Sequence, residues 1–298
     1  MAFDFIQLAD PQFGMFAAMS RLSPAQRTKT WAAFRRAGVI GAADPDPDVP
    51  DVDNIDPEID RFQWAIAEIN RRRPAFVVVC GDLVNNIDQP NQAEALHRIA
   101  AQLDPGIPIH WLPGNHDLAI DGGLPTPDAL SEYRQTFRDD FYTFQHDDTL
   151  FLALNSETMH RPEHLPHEAP RQFEFIADSL SSRAAREADR IVAFTHTPLF
   201  LRDPDEPQRG TISDEYRGKL FDLFQEHDVE AVLSGHLHHN RYVSARGIRQ
   251  IVSCAVGFPL VGRSGYRVVH VPGEAETPID HDYHEFDPDP AQPKSTAE

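Results

Sequence analysis

Apolar residues fall along the chain in two rhythms. Short unbroken runs at 3–9, 76–80, 107–112, 150–154, 190–195 and 229–234 predict β-strands. Longer stretches with apolar residues three and four apart predict helices between them. Residues 58–72 are the clearest helix, with Ile59, Phe62, Ala65, Ile66 and Ile69 on one face. Ser23 followed by Pro24 predicts the capped start of another, over 24–37. Further helices are expected at 92–103, 130–137, 171–188 and 213–227. Alternating strands and helices predict crossovers and a largely parallel arrangement in the first part of the chain. Segments 241–245, 248–254 and 266–271 read instead as consecutive antiparallel strands, and 142–146 as a hairpin partner of 150–154. The Asp- and Pro-rich 42–57, and segments 155–170 and 204–210, read as loops. One domain over 1–286 is expected, with an insert at about 14–57 and a disordered tail over 287–298.

Five of the strands run straight into a residue of metal-binding type. Asp10, Asp82, Asn115, His196 and His236 each follow an apolar run directly or after one or two turn residues. In open α/β sheets ligands bind beyond the carboxyl ends of strands, so five such ends can deliver side chains to one place. In His236-x-His238 and in Asp10-x-Gln12, a locally extended backbone puts both side chains on one side. A mixture of carboxylate, amide and imidazole suits Mn, Fe, Zn or similar ions better than Ca or Mg. Six or seven ligands are too many for one four-coordinate ion and suit two, which together clamp a phosphoryl group for in-line displacement.

Charge sharpens this picture. The 298 residues include 47 acidic and 27 basic side chains, a net charge of −20. Such a surface repels nucleic acid and anionic membranes, so neither is an expected partner. It repels a phosphoester substrate as well, so a phosphate site here needs local positive charge, which bound divalent ions supply. Cys80 and Cys254 lie in apolar runs and read as buried thiols. No basic segment leads into a long apolar core at the N-terminus, and no run reaches the length of a membrane span. A cytoplasmic location is expected.

Asp10, Gly81-Asp82, Gly114-Asn115-His116-Asp117, His196 and Gly235-His236-Leu237-His238 resemble, in that order, the calcineurin-like metallophosphoesterase pattern. Residues 9–14, 152–156, 196–201, 234–240 and 254–262 are similar to the group that contains calcineurin-like phosphoesterase domain-containing protein 1, also called complete S-transactivated protein 1. The resemblance implies an α/β fold, a four-layer α/β/β/α sandwich of two mixed sheets. It implies two divalent or mixed-valence metal ions at the loops between the sheets, and hydrolysis of phosphate monoesters by an activated hydroxide. By the same resemblance Asp82 bridges the ions, Asp10 and His238 complete one with Gln12 nearby, and Asn115, His196 and His236 complete the other. His116 is then the proton donor, and Asp117 orients its loop. Asn85 and Asn155 are assigned to substrate contact. Phosphodiester cleavage, cyclic nucleotides included, and a non-catalytic metal-binding scaffold are the alternatives.

Three positions depart from the family pattern. Gln12 stands where most of the superfamily has His. Asn85 and Asn86 stand where phosphoprotein phosphatases carry an Asp that orients the catalytic His and an Arg that binds phosphate. Asn does not stabilise an imidazolium as a carboxylate does, so protein-phosphatase activity does not follow from the resemblance. His160, His164 and His167, at irregular spacing in one segment, read as surface or rim residues.

Overall fold

Alternation along the strands explains the layers. Phe5, Val78, Val192 and Leu233 project to one side of their strands, into a shared core, while Ile6, Val77, Ile191 and Val232 project to the other, under helices. Strands buried on both faces must be apolar throughout, which is why these runs are unbroken.

The computed structural model describes residues 1–119 and 123–289. Its first half runs β1 (Phe3–Leu8), α1 (Met15–Ser20), α2 (Pro24–Ala37), α3 (Asp56–Arg72), β2 (Val77–Cys80), α4 (Pro90–Ala100), β3 (Ile109–Leu112), α5 (Pro127–Thr136), β4 (Tyr142–His146) and β5 (Thr149–Ala153). There follow α6 (Ser156–His160), α7 (Glu168–Leu180), α8 (Arg183–Glu187), β6 (Arg190–Phe194), α9 (Asp214–Glu226), β7 (Val229–Ser234), β8 (Arg241–Ala245), β9 (Ile248–Val252), β10 (Gly265–Val271) and β11 (Asp280–Glu285). One five-stranded sheet has the order β11-β10-β1-β2-β3, and one six-stranded sheet the order β4-β5-β6-β7-β9-β8. Both are mixed: β1, β2 and β3 are parallel neighbours, as are β5, β6, β7 and β9, with antiparallel strands at the flanks. Phe5, Phe76, Phe151 and Phe194 fill the space between the sheets, with Phe5 stacked on Phe76 at 4.7 Å. Helices α3, α4 and α5 cover the outer face of the first sheet, and α6 to α9 that of the second.

The chain departs from its expected elements at identifiable places. Of the three consecutive strands expected over 241–271, only β8 and β9 pair antiparallel with each other, and β9 lies parallel to β7. Strand β10 crosses to the other sheet beside β1. It carries Val268 on its helix side and Val269 and Val271 on its inter-sheet side, so it belongs inside a sheet. The helix expected at 171–188 breaks at Ser181-Ser182, where the Ser182 hydroxyl accepts the Ala185 N–H at 3.1 Å and starts α8. Ser23 caps α2 as expected, and Gln26 completes a capping box.

Residues 14–57 carry α1 and α2, and Met15, Phe16, Trp31 and Ile40 form a small core with Leu201, Leu237 and Phe258. Most of the expected tail, 290–298, lies outside the described residues, but Asp289 pairs with the buried Arg61 guanidinium. Among the described residues no helix is long and apolar enough to cross a membrane.

Candidate metal centre

Each candidate ligand sits just past a strand end. The ends of β1, β2 and β3 lie side by side in one sheet and those of β6 and β7 in the other, so their loops share one crevice. Backbone bonds lace the loops together: Asp10 N–H to Gly81 at 3.1 Å, Gln12 N–H to Asp82 at 2.8 Å, and Gly235 N–H to His196 at 3.1 Å. The Asp117 carboxylate accepts the N–H groups of Gly114 at 2.8 Å, Leu83 at 2.9 Å and Val84 at 3.1 Å, joining two of these loops. Burial and the neighbouring Asp82 push the Asp117 carboxyl up to about 8, against those N–H bonds.

The backbone here is strained. Among the described residues nine other than glycine have positive φ, and five of them are Asp10, Gln12, Asp82, His236 and His238. That region is costly for L-residues and persists where surrounding structure enforces it, often at functional sites. Close approach demands glycine beside the ligands. A Cβ on Gly81 would lie 2.6 Å from His196 Nδ1, and one on Gly114 would overlap Asp82.

Two histidines are aimed through their far nitrogens. His196 Nδ1–H donates to the Cys80 carbonyl at 2.9 Å, and His238 Nδ1–H to the Phe258 carbonyl. Neutral rings held this way present the Nε2 lone pair, the arrangement that orients metal-binding imidazoles. His196 Nε2 lies 3.2 Å from Asn115 Oδ1, 3.4 Å from Asp82 Oδ2 and 3.2 Å from His236 Nδ1. His236 Nδ1 is itself 3.1 Å from Asn115 Oδ1. Four acceptor-type atoms therefore converge on one spot. A second focus lies beside it. His238 Nε2 is 3.4 Å from Asp10 Oδ1, and Asp10, Asp82 and His196 offer ligand atoms within 4.8 Å of one another. Gln12 is fully buried; its Nε2 donates to Asn85 Oδ1 at 3.2 Å, and its Oε1 has no hydrogen-bond partner. Buried acceptors without donors are costly, and a cation between them removes that cost, so this donor set fits divalent metal.

The electrostatics call for the same positive charge. Burial works against a charged His196, yet Asp82 and Asp10 hold its ring well above its ordinary value. Burial also works against a charged Asp82, but His196 and His116 keep its carboxyl below the usual range. His238 is raised by Asp10 in spite of burial, whereas burial and His196 push His236 well down.

Access is one-sided. Asp10, Gln12 and His196 are 0% exposed, Asp82 2% and His238 4%, while Asn115, His116 and His236 are half-buried. Substrate must approach from the side of these three. His116 is anchored by its backbone N–H on Asp82 Oδ1 and by Nδ1–H on the Asn85 carbonyl, both at 2.9 Å. The acceptor that orients the His116 ring is therefore a main-chain oxygen. The Asn85 side chain is half-buried, and its Oδ1 accepts from Gln12 Nε2. Gln92 Oε1 holds this turn by accepting the N–H groups of Asn85 and Asn86 at 3.0 Å.

Asn155 does not line the crevice. It is fully buried, with Oδ1 accepting the Glu157 N–H at 3.1 Å and Nδ2 donating to Asp140 at 2.9 Å, so it caps α6. Asn155→Ala is expected to cost about 0.5–2 kcal/mol of stability in urea unfolding and to leave KM unchanged. A raised KM at unchanged stability would restore the substrate role.

Of the three loop histidines, His160 alone reaches the site. Its ring centroid lies 6.4 Å from that of His236, and its Nδ1–H donates to the Thr211 carbonyl at 2.7 Å. His164 sits by Glu163 at 3.6 Å, and His167 is exposed at the start of α7. The five-residue α6 that carries His160 is too short to show periodicity. Ser156 and Glu157 support the His196 loop from behind, through Thr197 N–H at 2.8 Å and Thr197 Oγ1 at 2.6 Å.

Two stacked mixed sheets with a crevice of carboxylate, amide and imidazole ligands at their strand ends define a metallohydrolase-type α/β/β/α sandwich. The chain belongs to the calcineurin-like phosphoesterase family, whose model matches residues 7–240, and is a phosphoric ester hydrolase. It is 32% identical over 293 residues to serine/threonine-protein phosphatase CPPED1 of Bos taurus, covering 96% of this chain and 84% of the relative. Over 295 residues it is 32% identical to CPPED1 of Homo sapiens, with the same coverage. Among solved structures, a dimetal phosphatase from Danio rerio matches with TM-score 0.61 at 14% identity, over 95% of this chain and 96% of that one. Purple acid phosphatase PPD1 from yellow lupin seeds matches with TM-score 0.63 at 13% identity, over 96% of this chain and 52% of that one. Likeness at such identities concerns the fold.

Proposed function

We propose that this chain hydrolyses phosphate monoesters at a dinuclear centre. The observation that carries this is the pair of adjacent acceptor foci, one at His196, His236, Asn115 and Asp82, the other at Asp10, His238 and the unpartnered Gln12 Oε1. Asp82, near His196 in the first focus and grouped with Asp10 of the second, would be shared by both. Mn, Fe or Zn suit these donors. Bound there, such ions supply Lewis acidity and lower the pKa of a coordinated water toward neutrality.

The chain's own residues do the rest. The buried wall of Asp10, Gln12 and His196 excludes bulk water from the far side. His116, fixed through Nδ1, presents Nε2 on the open side, where it donates a proton to the leaving oxygen or to the phosphoryl group. His160, fixed through Nδ1 to Thr211, presents Nε2 near His236 as a contact for a phosphoryl oxygen. The relatives named serine/threonine-protein phosphatase favour a phosphorylated Ser or Thr side chain as the ester. The main-chain acceptor for His116 removes one objection to that class, because the ring is oriented without a carboxylate at position 85.

Protein reloaded separately with Mn, Fe, Zn or Mg should be offered p-nitrophenyl phosphate and its bis-ester side by side. Preference for the monoester is expected. Preference for the bis-ester would make the chain a phosphodiesterase, and metal binding without turnover of either would make it a scaffold.

A further inference from the structure

A cavity of about 550 Å³ opens between the end of α2, the loop around 201–209 and the start of β8. Arg35, Arg36, Arg202, Arg209 and Arg241 line it, and no carboxylate does. In a chain with 47 acidic and 27 basic side chains, five guanidinium groups on one cavity are a local inversion of charge. Two of them are answered: Arg35 by Asp46 at 2.8 Å and Arg202 by Glu206 at 3.9 Å. Among the described residues, Arg36, Arg209 and Arg241 have no carboxylate within ion-pair distance. Backbone contacts hold two of them instead, with Arg241 donating to the Leu201 carbonyl at 2.9 Å and Arg209 to that of Arg36 at 3.4 Å. Like charges gathered without partners are unfavourable, and a bound anion relieves them.

The cavity is tied to the catalytic crevice. Arg241 follows His238 by three residues, so the chain between them spans at most about 11 Å. Leu237, between the two ligand histidines, packs with Leu201 and Ile40 in the small core that underlies the cavity wall. We propose that the cavity binds a second anionic group of the substrate, a phosphate or a carboxylate, while the scissile phosphate lies at the metal centre. Planar guanidinium forks suit either group. The preferred substrate is then a phosphoester whose second negative group lies on the order of 10 Å away. This rests on the phosphatase reading above.

The test uses four substrates: p-nitrophenyl phosphate, and phosphoserine peptides flanked by neutral residues, by glutamates or by a second phosphoserine. In the Arg36→Gln/Arg209→Gln/Arg241→Gln variant, KM for the two acidic peptides is expected to rise at least about tenfold, as for loss of one charge-assisted hydrogen bond. The constants for p-nitrophenyl phosphate and the neutral peptide should stay as in wild type. A larger effect on the bis-phosphorylated peptide assigns the cavity to phosphate, and a larger one on the glutamate peptide to carboxylate. Because Arg241 also supports the 201 loop, Arg36→Gln/Arg209→Gln provides a variant that spares that bond. Equal changes for all four substrates, or none, overturn the proposal. If wild type turns over none of them, the phosphatase reading fails. Calorimetric binding of the acidic peptides then decides the cavity alone: binding lost in the variant upholds it, and binding absent or unaltered overturns it.

Discussion

His116→Ala is expected to retain its full complement of metal and to lose about 10²- to 10⁴-fold in kcat, the range for one positioned general acid. The geometry separates the two quantities. No atom of the His116 ring joins either group of converging acceptors, and its Nδ1 is spent on the Asn85 carbonyl. Its backbone N–H, which holds Asp82 Oδ1 at 2.9 Å, survives the substitution. What disappears is the Nε2 proposed above as the proton donor. The size of the loss should therefore follow the leaving group. A p-nitrophenolate departs readily without a proton, whereas the alkoxide of a serine ester does not, so phosphoserine substrates should suffer more than p-nitrophenyl phosphate. Metal content by elemental analysis alongside kcat for both substrates makes the check. Loss of metal would make His116 structural, and an equal loss on both substrates would place its proton on the phosphoryl group.

The residues of the candidate centre were legible in sequence where their cause is local. A strand buried on both faces has to be apolar, and a ligand at its carboxyl end follows at once, so Asp10, Asp82, Asn115, His196 and His236 stand out against their runs. The Ser23 cap was legible for the same reason, since donor and acceptor lie three residues apart. Relations across the fold left weaker marks. The sheet that β10 joins depends on what covers both its faces, not on its pattern alone. Asn85 acts on His116 through a main-chain oxygen, and a carbonyl has no residue type to read. Asn155 and His160 take their roles from a five-residue helix and from Thr211, 51 positions from His160. The arginine cavity draws on three separate segments, each unremarkable alone.

Under the proposed dinuclear reading with Gln12 as a ligand, Asn85→Leu is expected to weaken one metal ion by about 10- to 100-fold, the range for losing a group that orients a ligand, and to leave the other unchanged. A glutamine can turn either its oxygen or its NH₂ toward a cation, and only the oxygen binds. Asn85 Oδ1 makes that choice here by accepting from Gln12 Nε2 at 3.2 Å, which leaves Oε1 directed away from it and unpartnered. Leucine has similar bulk but no acceptor. The Asn85 carbonyl that anchors His116 is untouched, so kcat at saturating metal should fall far less than in His116→Ala. Asn85→Asp keeps an acceptor and should restore most of the affinity. In a Gln12→His background the ligand is a ring nitrogen with no amide to flip, so Asn85→Leu should there cost little. The difference between the two backgrounds is the coupling energy of the pair. Titration of Mn²⁺ into the four proteins, followed by electron paramagnetic resonance, measures it. Equal affinity in wild type and Asn85→Leu would leave Asn85 without a part in metal binding, and weakening of both ions would mean that it supports the loop as a whole.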